Sequence, residues 1–282
     1  MTLDLLKDLR ERTGAGILDC RAALKESDND LEKALDFLRK KGLASAAKRA
    51  GRDAKEGFVS AQIRGSKAAL VEVNCETDFV ARTDDFKNLV NLALDEAFTN
   101  GEAAVSTSQK LSDRVAELSG KIGEKILVRR AALVESKGGL FTYVHSNQKL
   151  GVIVEVATGK PESAKNPAVE ELGKTLAMQV AASNALCVRR QEVPGEKLER
   201  EKAIYREEVK GKPDNILEKI VQGKLEKFYQ TNCLLEQPYI KDDKQSVTQL
   251  IAEAAKKAGD TVEVKRFVRF QLGETATPAA QE

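Results

Sequence analysis

A chain of 282 residues is too long for one compact core of ordinary size, so two or more domains are expected. Its 46 Lys and Arg nearly balance 44 Asp and Glu, a formal net charge of +2, which speaks against the basic footprint of a nucleic-acid binder. One histidine, His145, excludes a His-rich metal centre, and four scattered cysteines (Cys20, Cys75, Cys187, Cys233) with no C-x-x-C pair read as reduced thiols of a cytosolic protein.

The N-terminus, Met1–Asp8, is charged and helical from the start, unlike a signal or transit peptide. Three short helices follow from the periodicity. Leu5, Leu6 and Leu9 share a face of the first, which Thr13-Gly14 ends. The second spans Ile17–Lys25. Asp28-Asn29-Asp30 caps a third with apolar face Leu31, Ala34, Leu35 and Leu38, which Gly42 is expected to stop. Gly14-Ala15-Gly16 follows a helix rather than a strand, so it reads as punctuation and not as a phosphate cradle. No G-x-x-x-x-G-K-[ST] sequence supplies a nucleotide-binding loop. A basic, Ala-rich stretch, Ala44–Arg52, reads as a helical tail or linker.

Strands begin at Phe58. Phe58–Arg64 and Lys67–Cys75 flank Gly65-Ser66, a two-residue hairpin turn. Val71, Val73 and Cys75 alternate with Glu72, Asn74 and Glu76, which predicts one wet face. Thr77-Asp78 then breaks the pattern as a helix N-cap, with a helix from about Thr83 to Asn100 and another over Ser108–Ile122. Ile126–Glu135 is a strand. A second cycle starts with Leu140–His145 and Leu150–Ala157 around Ser146-Asn147-Gln148-Lys149, then a helix over Pro167–Ala182. Ile153-Val154-Glu155-Val156 echoes Leu70-Val71-Glu72-Val73. Hairpin plus helix, repeated roughly eighty residues apart, suggests two related α+β halves.

The second half is interrupted. Gly195–Lys210 and Asp214–Tyr229 are charged helices joined by Gly211-Lys212-Pro213. Their narrow apolar stripes (Leu198, Tyr205, Val209; Leu217, Ile220, Val221, Leu225, Phe228) are those of a projecting antiparallel helical hairpin. A helix over Val247–Ala258 and a strand over Val262–Leu272 close the fold. Thr275–Glu282 reads as a flexible tail. No apolar run reaches the ~18 residues that span a bilayer. The expected divisions are 1–52 for a three-helix module, 53–138 for one core half, 139–183 with 231–274 for the other, 184–230 for the hairpin and 275–282 for the tail.

Phe79 stands at the strand-to-helix corner beside the Asp78 carboxylate. An ordinary reading makes Phe79 a core residue and Asp78 a helix cap. The alternative is a wedge, in which the ring enters a partner's pocket and the charge competes for something the partner holds. The surrounding run, Glu72-Val73-Asn74-Cys75-Glu76-Thr77-Asp78-Phe79-Val80-Ala81-Arg82, closely resembles the second signature of the translation elongation factor Ts family. Leu9-Arg10-Glu11-Arg12-Thr13-Gly14-Ala15-Gly16-Ile17-Leu18-Asp19-Cys20-Arg21-Ala22-Ala23-Leu24 resembles the first, in the family's order and spacing. The likeness extends to Lys121-Ile122-Gly123-Glu124, His145, the paired helices and Gln237-Pro238-Tyr239-Ile240.

The resemblance implies an α+β protein with a ubiquitin-associated-like N-terminal module and two antiparallel-sheet halves. It implies a cytoplasmic guanine-nucleotide exchange factor for elongation factor Tu, with no cofactor, no metal, no catalytic residue and no nucleic-acid or membrane partner. Thr77, Asp78, Phe79 and Val80 inherit the role of entering the GTPase near its Mg2+. Arg10, Ile17, Leu18 and Arg21 inherit the grip on the GTPase domain, and Ile122, Gly123, His145 and Ile240 further contacts. Arg21 stands where lysine is usual, the turn after His145 is one residue longer than the family pattern, and a further C-terminal helix of some relatives is absent. Self-association through the hairpin, as a homodimer or a 2:2 complex, is left open. Two other classes compete: a protein-binding adaptor built on the three-helix start, and a hydrolase using Cys75 or Cys187 with His145.

Overall fold

The computed structural model describes residues 2–49, 51–211 and 213–274, apart from the side chains of 43, 45, 46, 47 and 214. The expected tail, 275–282, lies outside the described residues. Helices α1 (Leu3–Thr13), α2 (Ile17–Glu26) and α3 (Leu31–Arg49) come first. The Thr2 hydroxyl caps α1 by accepting the Leu5 N–H, and Gly14, in the left-handed region, ends it. Leu9, Cys20, Ala23, Leu24 and Ala34 are buried between the three.

Gly42 does not stop α3, which runs on through the Ala-rich stretch to Arg49. The reason is tertiary. A Cβ at Gly42 would come within 3.3 Å of the Ala116 carbonyl oxygen, and one at Gly120 within 3.5 Å of the Gly42 Cα. The two glycines let α3 and α7 (Gln109–Ile122) touch backbone to backbone, which offsets the roughly 1 kcal/mol that glycine costs a helix. Arg39 and Asp113 form an ion pair across the same contact.

Strands β1 (Glu56–Arg64) and β2 (Lys67–Cys75) form the expected hairpin, Arg64 opposite Lys67. The single turn α4 (Asp78–Ala81), α5 (Asp84–Asn100), the single turn α6 (Ala104–Thr107) and α7 follow, then β3 (Leu127–Glu135), antiparallel to β2. Strands β4 (Gly139–Val144) and β5 (Leu150–Thr158) make a second hairpin, followed by α8 (Pro167–Ser183). Helices α9 (Gly195–Glu208) and α10 (Asp214–Asn232) pack along a seam of Leu198, Tyr205, Leu217, Val221 and Leu225. A small β6 (Pro238–Tyr239) and β7 (Asp242–Ser246) ribbon, α11 (Val247–Ala258) and β8 (Val262–Gln271) complete the chain. The sheet orders are β1-β2-β3 and β4-β5-β8. The periodicity missed α4, α6 and the β6–β7 ribbon, all too short to carry a repeat.

The two sheets stack face to face. Outside the first, Phe86, Leu89, Ala93 and Leu94 of α5 and Leu118 of α7 cover Val71, Val73 and Cys75. Outside the second, Val169, Leu172, Leu176 and Val180 of α8 cover Val152, Val154 and Val156. Between them lie Val59, Ala68, Leu70, Val134, Ile153 and Phe270. The expectation of a wet face on β2 is therefore corrected: Glu72 and Asn74 are fully buried on the inner face. Glu72 accepts from Arg130 Nε at 2.7 Å and from the Gly273 N–H at 2.8 Å, and Arg129 Nε lies 3.4 Å away. Arg130 stacks over Phe270 and donates to the Gln271 carbonyl, so one guanidinium ties both sheets.

The sequence echo has a structural counterpart. The β2–β3 register shifts between Glu72 and Val73, and the β5–β8 register between Glu155 and Val156. Glu72 faces Arg130 and Glu155 faces Arg266, each pair joined at 2.7 Å. A Cβ at Gly57 would stand 2.0 Å from the Val73 carbonyl oxygen, and one at Gly138 2.3 Å from that of Val156. Both hairpins thus need glycine at the same point of close backbone approach.

Arg130→Met would leave the buried Glu72 carboxylate without its principal partner. We expect a loss of about 3–5 kcal/mol in unfolding free energy, read from the urea midpoint.

Candidate functional site

The corner after β2 is a single helical turn held from outside. Four residues cannot nucleate a stable helix alone. Thr77, in extended conformation, is its N-cap, and its Oγ1 accepts the Val80 N–H at 3.5 Å. Asp78 is thus the first helical residue and not the cap; its carboxylate pairs with Arg82 at 2.9 Å on the surface. Val80 and Ala81 are buried against the first core, and the Thr83 hydroxyl donates to the Val80 carbonyl while capping α5. Phe79 points the other way and is 80% exposed, which removes the core reading.

The turn is braced against the loop after α7. The Glu124 carboxylate accepts the Thr77 N–H at 3.0 Å through Oε2 and the Thr77 hydroxyl at 2.8 Å through Oε1. In return the Glu76 carboxylate accepts the Lys125 N–H at 2.6 Å. Arg52, just past the N-terminal helices, donates to Glu76 at 3.3 Å and to the Gly123 carbonyl at 3.4 Å. Gly123 caps α7 in the left-handed region, and the buried Ser119 hydroxyl donates to the Glu124 carbonyl at 2.5 Å. Ile122 packs on the first core. Hydrogen bonds from the Lys125 N–H and then Arg52 hold the Glu76 carboxyl below its ordinary 4.5, against the upward push of burial.

The structure brings three predicted segments together: the Thr77–Val80 turn, the Ile122–Gly123 loop and the turn after His145. A cleft of about 300 Å³ separates Asp78, Ala81 and Arg82 from Ser146, Asn147, Gln148 and Lys149. The longer turn is used structurally, since the Gln148 carbonyl accepts the Val59 N–H at 2.7 Å and Lys149 pairs with Glu56 at 2.6 Å. His145 is exposed, with Nδ1 2.9 Å from the Tyr143 hydroxyl.

Arg10 and Arg21 are exposed on α1 and α2, and Ile17 and Leu18, the latter 76% exposed, open α2. Ile240 lies at the tip of the β6–β7 ribbon, its N–H held by buried Gln179 at 2.9 Å. Four of the eight large apolar side chains exposed among the described residues are thus predicted contacts: Ile17, Leu18, Phe79 and Ile240. Leu3, Ile63, Ile204 and Ile216 are the others. The sequence alone assigns no role to Glu76, Glu124 or Arg52. The available signals were that Glu76 and Glu124 stand inside runs that carry the family resemblance and that Glu124 directly follows a helix-ending glycine.

The hydrolase alternative fails on geometry. Cys75 and Cys187 are buried and donate to the carbonyls of Thr77 and Arg189, whereas His145 bonds Tyr143. Burial, reinforced by nearby Glu124 for Cys75 and Cys233 for Cys187, pushes both thiols up to about 12. The cysteines are not all far apart in space: the Cys187 and Cys233 sulfurs are 3.7 Å apart. No group of His, Cys, Asp and Glu suited to a metal occurs among the described residues, and none of their helices is long and apolar enough to cross a membrane.

Residues 76–274 match the family described as Elongation factor TS. The chain is 45% identical to Elongation factor Ts of Prosthecochloris aestuarii, over 95% of this chain and 97% of that one. It is 43% identical to Elongation factor Ts of Nitratidesulfovibrio vulgaris strain DP4, over 100% and 98%. It is also 43% identical to that of Clostridium botulinum strain Eklund 17B, over 95% and 92%.

The lowered Glu76 value carries a sign. The folded state binds this proton more weakly than the unfolded state, so its stabilisation is complete above 4.5 and fades as pH falls through the lower folded value. Glu76→Gln should therefore lower the urea midpoint at pH 7, with the difference from the parent shrinking below pH 4.5. A thiol reagent at pH 7.5 should label Cys75 and Cys187 on the order of a hundredfold more slowly in the folded protein than in denaturant, followed by mass spectrometry.

Proposed function

Since the chain belongs to the elongation factor Ts family, we propose that it is a guanine-nucleotide exchange factor that binds elongation factor Tu carrying GDP and speeds GDP release. It acts by stabilising the nucleotide-free GTPase and performs no bond chemistry of its own. The observation that carries the reading is Phe79, a large ring left 80% exposed on a turn whose backbone is fixed from several sides. An exposed ring on a rigid mount costs little further ordering when it enters a pocket.

A GTPase holds its nucleotide through phosphate contacts and a bridging Mg2+. In our reading the Thr77–Val80 turn enters near that metal, the Phe79 ring shifts the elements that hold it, and Asp78 competes for its ligands. Losing the metal leaves phosphate charge uncompensated, and the nucleotide departs. By linkage, the nucleotide weakens the factor's binding by the same ratio. A ten-thousand-fold change corresponds to about 5.5 kcal/mol, whereas burying one Phe supplies roughly 1.5–3 kcal/mol. Other contacts must supply the rest. We assign them to Arg10, Ile17, Leu18 and Arg21 as the grip, to Ile122 and Gly123 beside the turn, and to His145 and Ile240 on the second half.

The same reading divides the chain into a ubiquitin-associated-like module (1–52), two core halves (53–138; 139–183 with 231–274) and a projecting hairpin (184–230) that serves self-association or partner contact. It places the protein in the cytoplasm, without cofactor.

The test is release of a fluorescent GDP analogue from purified elongation factor Tu. The parent should accelerate release strongly. Phe79→Ala should lower the acceleration roughly tenfold to a hundredfold. A Phe79→Ala, Asp78→Ala double variant as fast as the parent would sink the wedge, and no acceleration by the parent at any concentration would sink the function.

A further inference from the structure

We propose that Glu124 is a positioning residue for this exchange activity: its carboxylate sets the orientation of the Phe79 turn from the tip of α7. The proposal deepens the exchange reading and rests on it. Phe79 is exposed, so no packing orients its ring; only the backbone of α4 does. That backbone begins at Thr77. The two long-range bonds that reach Thr77 among the described residues both come from Glu124, one to the N–H and one to the hydroxyl. The hydroxyl that donates to Glu124 is the same one that accepts the Val80 N–H, so donation strengthens the cap across Phe79.

A carboxylate is what the position requires. Thr77 presents two donors 2.8 Å and 3.0 Å from two different oxygens of one side chain. Glutamine has the same size but one acceptor, and its NH2 would face a donor. Aspartate is one methylene short. Glu124 is itself held, through the Ser119 bond to its carbonyl and the Glu76 bond to the next N–H. The two segments thus clamp each other, each carboxylate satisfying backbone donors of the other stretch of chain. Arg52 bonds Glu76 and the Gly123 carbonyl, which joins the end of the N-terminal helices to the same clamp.

The chain contains no tryptophan, so in a Phe79→Trp protein the introduced indole is the sole reporter of its own motion. Time-resolved anisotropy of that protein, with and without Glu124→Gln, tests the positioning directly and needs no partner. Faster, wider local motion of the indole is expected once Glu124→Gln is added; identical decays would overturn the proposal. Glu124→Asp keeps the charge but falls one methylene short of both Thr77 donors while leaving the Thr77 hydroxyl in place to accept the Val80 N–H. It should loosen the indole in the same sense, which keeps the test open should Glu124→Gln fold poorly. In the GDP-release assay, Glu124→Gln in the parent should lower the saturating rate roughly tenfold, about 1.4 kcal/mol, while the half-saturating concentration moves less than about twofold. In a Phe79→Ala background the same change should do almost nothing, because no ring remains to be placed. A full tenfold loss there would mean that Glu124 acts only on the fold, which would overturn the proposal. A parent that releases no GDP faster would count against the exchange reading, and the indole anisotropy would still decide whether Glu124 orders the turn.

Discussion

The Glu72 carboxylate, sealed between two sheets, is the interaction on which the arrangement depends. Strand β2 is central in its sheet and covered on both faces, by α5 on one side and by the second sheet on the other. A buried carboxylate is tolerable only when paired and hydrogen-bonded. Arg130 meets that requirement from the neighbouring strand and continues to Phe270 and Gln271 at the far end of the second sheet. The charge therefore fixes how the two sheets sit on each other, as well as the register of β2 on β3. Glu155 and Arg266 repeat the pair in the second sheet, but Arg266 reaches solvent, so only the first pair serves as a lock.

That lock places the Phe79 corner. Beyond Cys75 the chain leaves the sheet, and α4 hangs between the first core and the cleft under the His145 turn. The scaffold does two opposite things within four residues. It buries Val80 and Ala81, and it leaves Phe79 in water. An exposed phenyl ring offers the fold almost nothing, so its presence on so firmly braced a turn is informative about partners. The bracing is polar and reciprocal, with Glu76 and Glu124 each serving the other segment's backbone. Carboxylates suit the task because backbone N–H groups freed at a turn still need acceptors.

Helix α3 shows a different balance. Glycine at position 42 has low helix propensity and follows Lys40-Lys41, which reads as a stop. Close contact with Gly120 and Ala116 on α7 outweighs that local preference and carries the helix on to Arg49. The consequence reaches the site, since α7 is also the helix whose end presents Ile122, Gly123 and Glu124. The N-terminal helices and the Phe79 turn are thus mounted on one element.

Much was legible in the chain itself. Periodicity located the long helices and both hairpins, because alternation and the 3.6-residue repeat are local signals that burial on one side writes into sequence. The Val-Glu-Val echo fell on two strands that share a register shift and a Glu–Arg pair, and the two signatures marked the family. The sequence could not reveal that β2 is dry on both faces. Alternation of Glu72, Asn74 and Glu76 with apolar residues looks the same whether the polar side meets water or a paired arginine. Nor could it reveal that Glu124 reaches Thr77, that Cys187 lies beside Cys233, or that Gly42 serves packing rather than termination. Those depend on which distant segments meet, and a contact between residues far apart in sequence leaves no periodic trace in either.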